Sequence, residues 1–409
     1  MDTNNTLIYF ISRPLAPPVD ALETALPELD FSTFIAGIFS TNLADTLRTT
    51  PRTTLLIPPN GAFKRLGLLV SNHLVSSSAK ADLERVIRHH ALVDIQYKDM
   101  LVNGSQHTFQ TLEGSDVSVG RRAPDRSVTF DSSGGWPDMH SVLTPRDMLT
   151  QTGVIHEVSD IMIPRSVQLT VGKLVRAAKG TTMTTMIVKA GFDWILNGTA
   201  PPENSKWADA APEGTGWTLL CPTDDAFKDV NLTALYEDEE RLRDIVEQHI
   251  IPTPSKLPSP PTSGWMIDTI VNNRPLPLDD SATYSTLRSK DAAYGDIVIR
   301  ILEGGKDGQD GTVVGIKGAR GKNGEQEWAK IVSWGRSTTG GGTGGVVQID
   351  RLLLPYQPSW YVTYGAPLAV GTGGVVLIGL FFLGVRWVWR RDTTEATYEP
   401  VGGFDNEDA

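Results

Sequence analysis

Few residues in this chain could carry out chemistry. There are seven histidines, His73, His89, His90, His107, His140, His156 and His249, and one cysteine, Cys221. No histidine pair has the spacing of a zinc protease helix, and a single cysteine cannot build a thiolate zinc site. His89 and His90 are adjacent, so on a helix they diverge by about 100° and do not converge on one ion. There is no Gly-x-Ser-x-Gly elbow, phosphate-binding glycine loop or dinucleotide fingerprint. Gly304 to Asp310 is similar to a calcium-binding nonapeptide, but it occurs once and has Asp307 where glycine belongs. The expectation is therefore a non-enzyme with no cofactor and no metal. Cys221 ends the apolar run Trp217 to Cys221 and reads as a small buried hydrophobe.

Two kinds of modification or recognition chemistry remain. Asn-x-Ser/Thr sequons occur at Asn4, Asn103, Asn197 and Asn231. Glycosylation is expected at Asn103, Asn197 and Asn231, the first two in turn-forming Asn-Gly contexts. Near the C-terminus, Tyr398-Glu399-Pro400-Val401 resembles a tyrosine-based sorting signal, with Tyr398 and Val401 as its anchor positions. The proteins that bind such groups are set by location, and location depends on the elements that surround them.

The 409 residues suffice for two or three domains, and 40% apolar with 21% charged residues is a globular composition. A net charge of -11 excludes a general nucleic-acid binder, because the chain cannot neutralise a run of phosphates. With one cysteine no intrachain disulfide forms, so each domain must be held by core burial.

From Ala366 to Val385 the chain carries no charge. Twenty helical residues rise about 30 Å, the hydrocarbon thickness of a bilayer. Trp360, Tyr361 and Tyr364 precede this run and Trp387 and Trp389 follow it, as an aromatic belt requires. Arg386, Arg390 and Arg391 lie just beyond it, whereas the nearest preceding basic residue is Arg351. Positive charge stays in the cytoplasm, which predicts a single-pass protein with residues 386–409 as a cytoplasmic tail. The rest is then extracellular or lumenal, at the plasma membrane or in the vacuole or secretory pathway. Residues 1–12 do not read as a signal peptide.

Two stretches recur. Thr54 to Phe63 (TLLIPPNGAF) pairs with Thr218 to Phe227 (TLLCPTDDAF), each a short buried strand stopped by proline. Asn60 or Asp224 then offers an N-cap to the helix that follows. A second pattern appears three times, ungapped, at Leu7–Pro17, Val154–Pro164 and Gly345–Pro355. Its matching apolar positions and closing proline read as the last strand of a domain. Residues 1–17 are accordingly expected to be the terminal strand of an upstream domain.

Together these blocks resemble the two signatures of the fasciclin domain family. His90 and His249 stand where the family has a Tyr-His pair near a helix end, here preceded by His89 and Gln248. Ser32-Thr33-Phe34 resembles the helix opening such domains, as does Leu174 to Ala178 in the second copy. The resemblance implies an α+β fold of two fasciclin-like domains, residues 18–164 and 165–356, each a β-sandwich-like wedge with flanking helices. The second copy carries a surplus between its blocks, including Glu303 to Lys330 and a glycine run at Thr338 to Gly345, expected as surface loops.

The function implied is non-catalytic: adhesion, or binding of a protein or glycan outside the cytosol. His89, His90 and His249, the helix carrying the first two and the glycine-rich insertion are the candidate contacts. His90 and His249 also read as structural groups that hydrogen-bond near a helix end. Two alternatives belong to other classes: a vacuolar or secretory-pathway membrane organiser or quality-control factor, and an enzyme with its site at the domain interface.

Overall fold

The computed structural model describes residues 2–3, 6–103, 107–122, 126–208, 215–253, 273–302, 311–319, 328–340, 343–358 and 360–391. It divides into two compact units, Met1–Pro355 and Tyr356–Ala409. A short hairpin, β1 (Asp2–Thr3) with β2 (Thr6–Leu7), opens the chain, and residues 8–17 follow without regular structure beyond a bend.

The first copy contains helices α1 (Ala21–Ala25), α2 (Ser32–Ser40), α3 (Ala44–Thr49), α4 (Asn60–Arg65), α5 (Leu68–Val75), α6 (Lys80–His89) and α7 (Lys98–Asn103). Its strands are β3 (Thr53–Ile57), β4 (Ala91–Val93), β5 (Thr108–Gln110), β6 (Asp116–Arg122), β7 (Ser127–Ser132), β8 (His140–Leu149) and β9 (Gly153–Val158). They form one sheet in the order β4-β3-β9-β8-β7-β6-β5. The two sequence blocks meet in it, because β3 and β9 pair in parallel, Thr53 opposite Gly153 through Ile57 opposite Glu157. The sheet curls into a near-barrel: Leu92 at one edge bridges to Thr111 beyond the other.

The second copy repeats the plan with helices α8 (Val171–Ala177), α9 (Thr181–Lys189), α10 (Asp193–Asn197), α11 (Leu232–Glu237) and α12 (Glu239–Gln248). Strands β10 (Gly216–Pro222), β11 (Ile250–Thr253), β12 (Thr283–Tyr284), β13 (Ile297–Leu302), β14 (Gly311–Ile316), β15 (Ala329–Arg336) and β16 (Gly344–Ile349) order as β11-β10-β16-β15-β14-β13-β12. Again the two blocks form a parallel pair, β10 with β16. Gly311–Ile316, Ala329–Lys330 and Gly344–Gly345 therefore belong to sheet strands, which corrects the expectation that Glu303 to Lys330 and Thr338 to Gly345 are surface loops throughout. Glycine masks strand periodicity because it adds no side chain to either face. Positions 303–310, 320–327 and 341–342, with the calcium-like heptapeptide, lie outside the described residues.

The first-block strands are buried throughout because they are covered on both faces. Leu55 and Ile57 point to the helical side, while Leu56 joins the sheet interior with Phe109, Val117, Phe130, Leu143 and Val158. Leu219 and Cys221 repeat the first orientation, and Leu220 enters the second sheet's interior with Ile297, Ile299 and Val347. The helical side is not divided between copies. A single core runs from Ala21 and Leu22 through Leu69, Val70 and Leu74 to Leu174, Met186 and Val346. Helix α5 packs on α8 and β15, and the Trp136 indole donates to the Ser337 carbonyl at 3.0 Å. Asp82 bridges the copies, with Lys173 Nζ at 2.6 Å and His73 Nε2 at 2.9 Å. Burial opposes its ionisation, but hydrogen bonds from His73 and Lys173 prevail and lower the carboxyl to about 2.

In the other unit one helix runs Trp360–Arg391, and its stretch Val370–Arg390 is long and apolar enough to cross a membrane, with mean hydropathy 1.7.

Candidate functional site

The histidines at the helix ends form the same bolt in both copies. His90 caps the end of α6, and its ring reaches two places. Nδ1 lies 2.7 Å from the Val86 carbonyl one turn back, and Nε2 lies 3.0 Å from the Met162 N–H. His249 repeats this, with Nδ1 2.7 Å from the Ile245 carbonyl and Nε2 3.1 Å from the Leu353 N–H. An N–H must donate to Nε2, so Nδ1 carries the proton and each ring is neutral. Burial pushes His90 down to about 3 and His249 to about 4. The carbonyls of His90 and His249 accept from Leu56 and Leu220 N–H, both at 2.8 Å. Each histidine thus joins a helix end, the first-block strand and the end of the second block. Neither ring is exposed, and both nitrogens of each are occupied.

His89 diverges from His90 as helical geometry requires and enters a hydroxyl cluster. Its Nε2 lies 2.9 Å from Ser132 Oγ and its Nδ1 3.0 Å from Ser115 Oγ. Ser115 donates to Glu113 at 2.5 Å and Ser132 to the Ile163 carbonyl at 2.6 Å. Burial lowers the His89 pKa, while Glu113 and two hydroxyls whose protons point elsewhere favour the charged ring. The ring is fully buried, and the Ser132 proton already has an acceptor. The cluster ties helix to sheet and does not activate a nucleophile.

Asn60 and Asp224 do not cap the helix they begin, which corrects the expected N-cap. Asn60 Oδ1 accepts from the Thr33 N–H at 2.8 Å, and its Nδ2 donates to the Leu29 carbonyl at 3.0 Å. Asp224 accepts from Thr182 N–H at 3.0 Å and Thr181 Oγ1 at 2.6 Å. Each caps the start of a distant helix, α2 or α9. That equivalence makes Thr181–Lys189 the counterpart of Ser32–Ser40, not Leu174 to Ala178 as the sequence suggested. Burial disfavours the Asp224 carboxylate, but the Thr181 hydroxyl and neighbouring N–H groups outweigh it and hold its pKa below the usual range. Cys221 is buried, and desolvation lifts its thiol to about 12, so it is not a nucleophile at neutral pH.

One feature of the second copy has no sequence signature. A cleft of about 640 Å³ is lined by α12 side chains Glu239, Glu240, Arg243, Asp244 and Glu247, with Lys206, Arg288 and Asp291 opposite. Lys206 Nζ lies 3.0 Å from Glu247 and 2.8 Å from Asp291. Arg288 Nη2 lies 3.5 Å from Asp244, and its Nε and Nη1 are buried without a hydrogen-bond partner. Burial raises the Glu247 carboxyl above the ordinary range despite Lys206. The first copy has Arg88 at the position of Glu247, paired on its surface with Glu84 at 3.0 Å. In the sequence, Glu237 to Asp244 is a charge run of the kind that makes a solvated helix face; Glu247, continuing it next to Ile245 and Val246, is the available hint of a buried charge.

Among the sequons, Asn103 ends α7, Asn197 ends α10 before the left-handed Gly198, and Asn231 caps α11 through Ala234 N–H at 3.2 Å. All three asparagines are exposed. Asn4, Tyr398 and Val401 lie outside the described residues.

Two sheets of identical strand order, each with its signature blocks side by side and a histidine bolt, define a tandem repeat of one α+β domain. The fasciclin domain matches residues 29–164 and 179–317, and the chain belongs to the fasciclin-domain family. It is 25% identical to human periostin over 248 residues, 60% of this chain and 26% of periostin. It is 23% identical to the transforming growth factor-beta-induced protein ig-h3 of Sus scrofa over 214 residues, 51% of this chain and 29% of that protein. The chain thus spans between a quarter and a third of these curated relatives. A solved FAS1 domain pair from the insect cell adhesion molecule fasciclin I is 14% identical, with a TM-score of 0.29, covering 80% of this chain and 98% of that one.

Proposed function

We propose that this chain is a single-pass membrane protein whose paired fasciclin domains bind a protein or glycan on the extracellular or lumenal side, without catalysis. Membership of the fasciclin-domain family carries the reading. The candidate span Val370–Arg390, flanked by Arg386, Arg390 and Arg391 on the C-terminal side, supports anchoring with a cytoplasmic tail. Exposed Asn103, Asn197 and Asn231 are the glycan acceptors under this topology, and Tyr398 with Val401 supplies the sorting contact in the tail.

The polar cleft on α12 is the contact surface. It offers carboxylates for ligand hydroxyls or amines, beside Arg243 and Lys206 for ligand acids, and is wide enough to admit a side chain or sugar. The His249 bolt serves this surface from behind by fixing the end of α12. The test combines topology with binding. Glycosidase treatment should speed migration of the chain, and a C-terminal tag should be reached only after the membrane is permeabilised. Cells displaying the chain should aggregate, and the exposed pair Glu240→Ala and Arg243→Ala should weaken aggregation without lowering the melting temperature. An unglycosylated chain in the cytosolic fraction would refute the topology. Undiminished aggregation by the double variant would refute the surface.

A further inference from the structure

The helices that end at the two histidine bolts pack alike but carry opposite charges. Counted back from His90 and His249, α6 and α12 match without a gap, and their inward faces agree. Leu83 answers to Leu242, Val86 to Ile245 and Ile87 to Val246, all buried. The charged positions do the opposite. Lys80, Asp82, Glu84, Arg85 and Arg88 stand where α12 has Glu239, Arg241, Arg243, Asp244 and Glu247. Every charge on α6 is reversed on α12. Since the packing faces are the same, the fold itself does not demand the reversal.

The outward sides form two matching stripes. Lys80, Glu84 and Arg88 read plus, minus, plus, and Glu239, Arg243 and Glu247 read minus, plus, minus. Steps of four residues keep each trio on one side of its helix, about 6 Å apart. Each trio is symmetrical about its centre, so the two fit whether the helices run parallel or antiparallel. Contacts within the chain leave most of these charges available. Lys80 and Arg85 are exposed, and Glu84 meets Arg88 at the surface. In the α12 cleft Lys206 takes Glu247 and Asp291, while Glu239, Glu240 and Arg243 form no ion pair among the described residues. Five carboxylates line that cleft against three cations, whereas the α6 face sets Lys80, Arg85 and Arg88 against Glu84 alone. The cleft also lacks an acid on one side. Arg288 is 9% exposed, its Nε and Nη1 have no hydrogen-bond partner, and Asp244 lies 3.5 Å from its Nη2.

We propose that the α6 face of one molecule docks on the α12 cleft of a second copy of this chain. Lys80, Arg85 and Arg88 meet the cleft's carboxylates, and Glu84 meets the cationic side formed by Arg243 and Arg288. The proposal rests on the reading of this cleft as the contact surface and names its partner. The two faces differ, so the contact runs head to tail and builds rows of molecules, not closed pairs. Its attraction comes from exposed charges and is screened by salt.

Sedimentation of the full chain in detergent tests the docking directly, with two variants altered only at exposed residues. One carries Lys80→Glu and Arg85→Glu, the other Glu239→Lys and Glu240→Lys; both should keep the parent's melting temperature. The unaltered chain should associate, and raising salt from about 0.05 to about 0.5 M should weaken the association at least about tenfold. Each variant alone should lose it, because its two faces then carry like charge. An equimolar mixture of the two should regain it. An unaltered chain that stays monomeric, variants that still associate, or a mixture that does not recover would each overturn the proposal. If that happens while Glu240→Ala with Arg243→Ala still disperses aggregating cells, the cleft binds another molecule, and only the second copy is excluded.

Discussion

The buried histidines make an acid-sensitivity prediction that can be worked through. His90 and His249 are lowered to about 3 and 4 by burial. In the unfolded chain each titrates near 6.5. Between those values the unfolded state holds more protons than the folded one, so stability rises with pH. The contribution is complete above about pH 6.5 and is lost as pH falls toward 4. Each histidine then costs about 1.4 kcal/mol per pH unit, or about 2 kcal/mol between pH 6.5 and 5. The two acting independently cost about 4 kcal/mol, a large share of the whole stability of many domains. Glu247, raised by burial, works in the opposite sense but is a single group.

The variant that isolates one bolt is His249→Gln. Glutamine keeps an acceptor for the Leu353 N–H but loses the donor to the Ile245 carbonyl, which costs about 1 kcal/mol. It also removes one titrating group. The variant should therefore be less stable than the parent at pH 7.5 and more stable at pH 5. Urea unfolding of the full chain in detergent, followed by tryptophan fluorescence across that pH range, reads both curves. Parallel curves that never cross would refute the assignment of His249 as a neutral buried clamp.

The interface between copies leaves no room for a methyl group at two places. A Cβ on Gly67, whose φ is +89°, would meet the Trp334 ring at 2.5 Å, and one on Gly335 would meet Leu69 Cβ at 2.9 Å. Gly67→Ala should destabilise by at least about 2 kcal/mol, through strain plus overpacking, and shift the tryptophan emission; normal urea unfolding would count against a shared core. Asn60→Ala should cost about 1 kcal/mol and Asp224→Ala somewhat more, because its cap is charged. Hydrogen exchange should quicken at the start of α2 or α9, not in the helix that the mutated residue begins; the reverse pattern would refute capping across the fold.

The repeats were legible because they are local. A proline after three apolar residues, or a histidine at the end of an amphipathic helix, follows from short-range periodicity that any copy must satisfy. Gly311–Ile316 escaped because glycine erases the alternation that marks a strand. The N-caps were misplaced for a different reason. An asparagine at a strand–helix joint can cap its own helix or another, and only the packing of α2 against α4 brings Thr33 to Asn60.

By itself the sequence determined that there are two copies, where each begins its first strand and ends its last, and which histidines lie at helix ends. It also fixed the one uncharged stretch long enough to cross a bilayer. The tertiary structure alone decided that both copies share one helical core, that Asp82 joins His73 to Lys173, and that Glu247, Arg288 and Lys206 surround a cleft. Lys173 is 91 residues from Asp82, and Trp136 is 201 from Ser337. No local pattern encodes such pairs: each residue must suit its own helix or strand, and what it meets depends on how the completed sheets curl and pack.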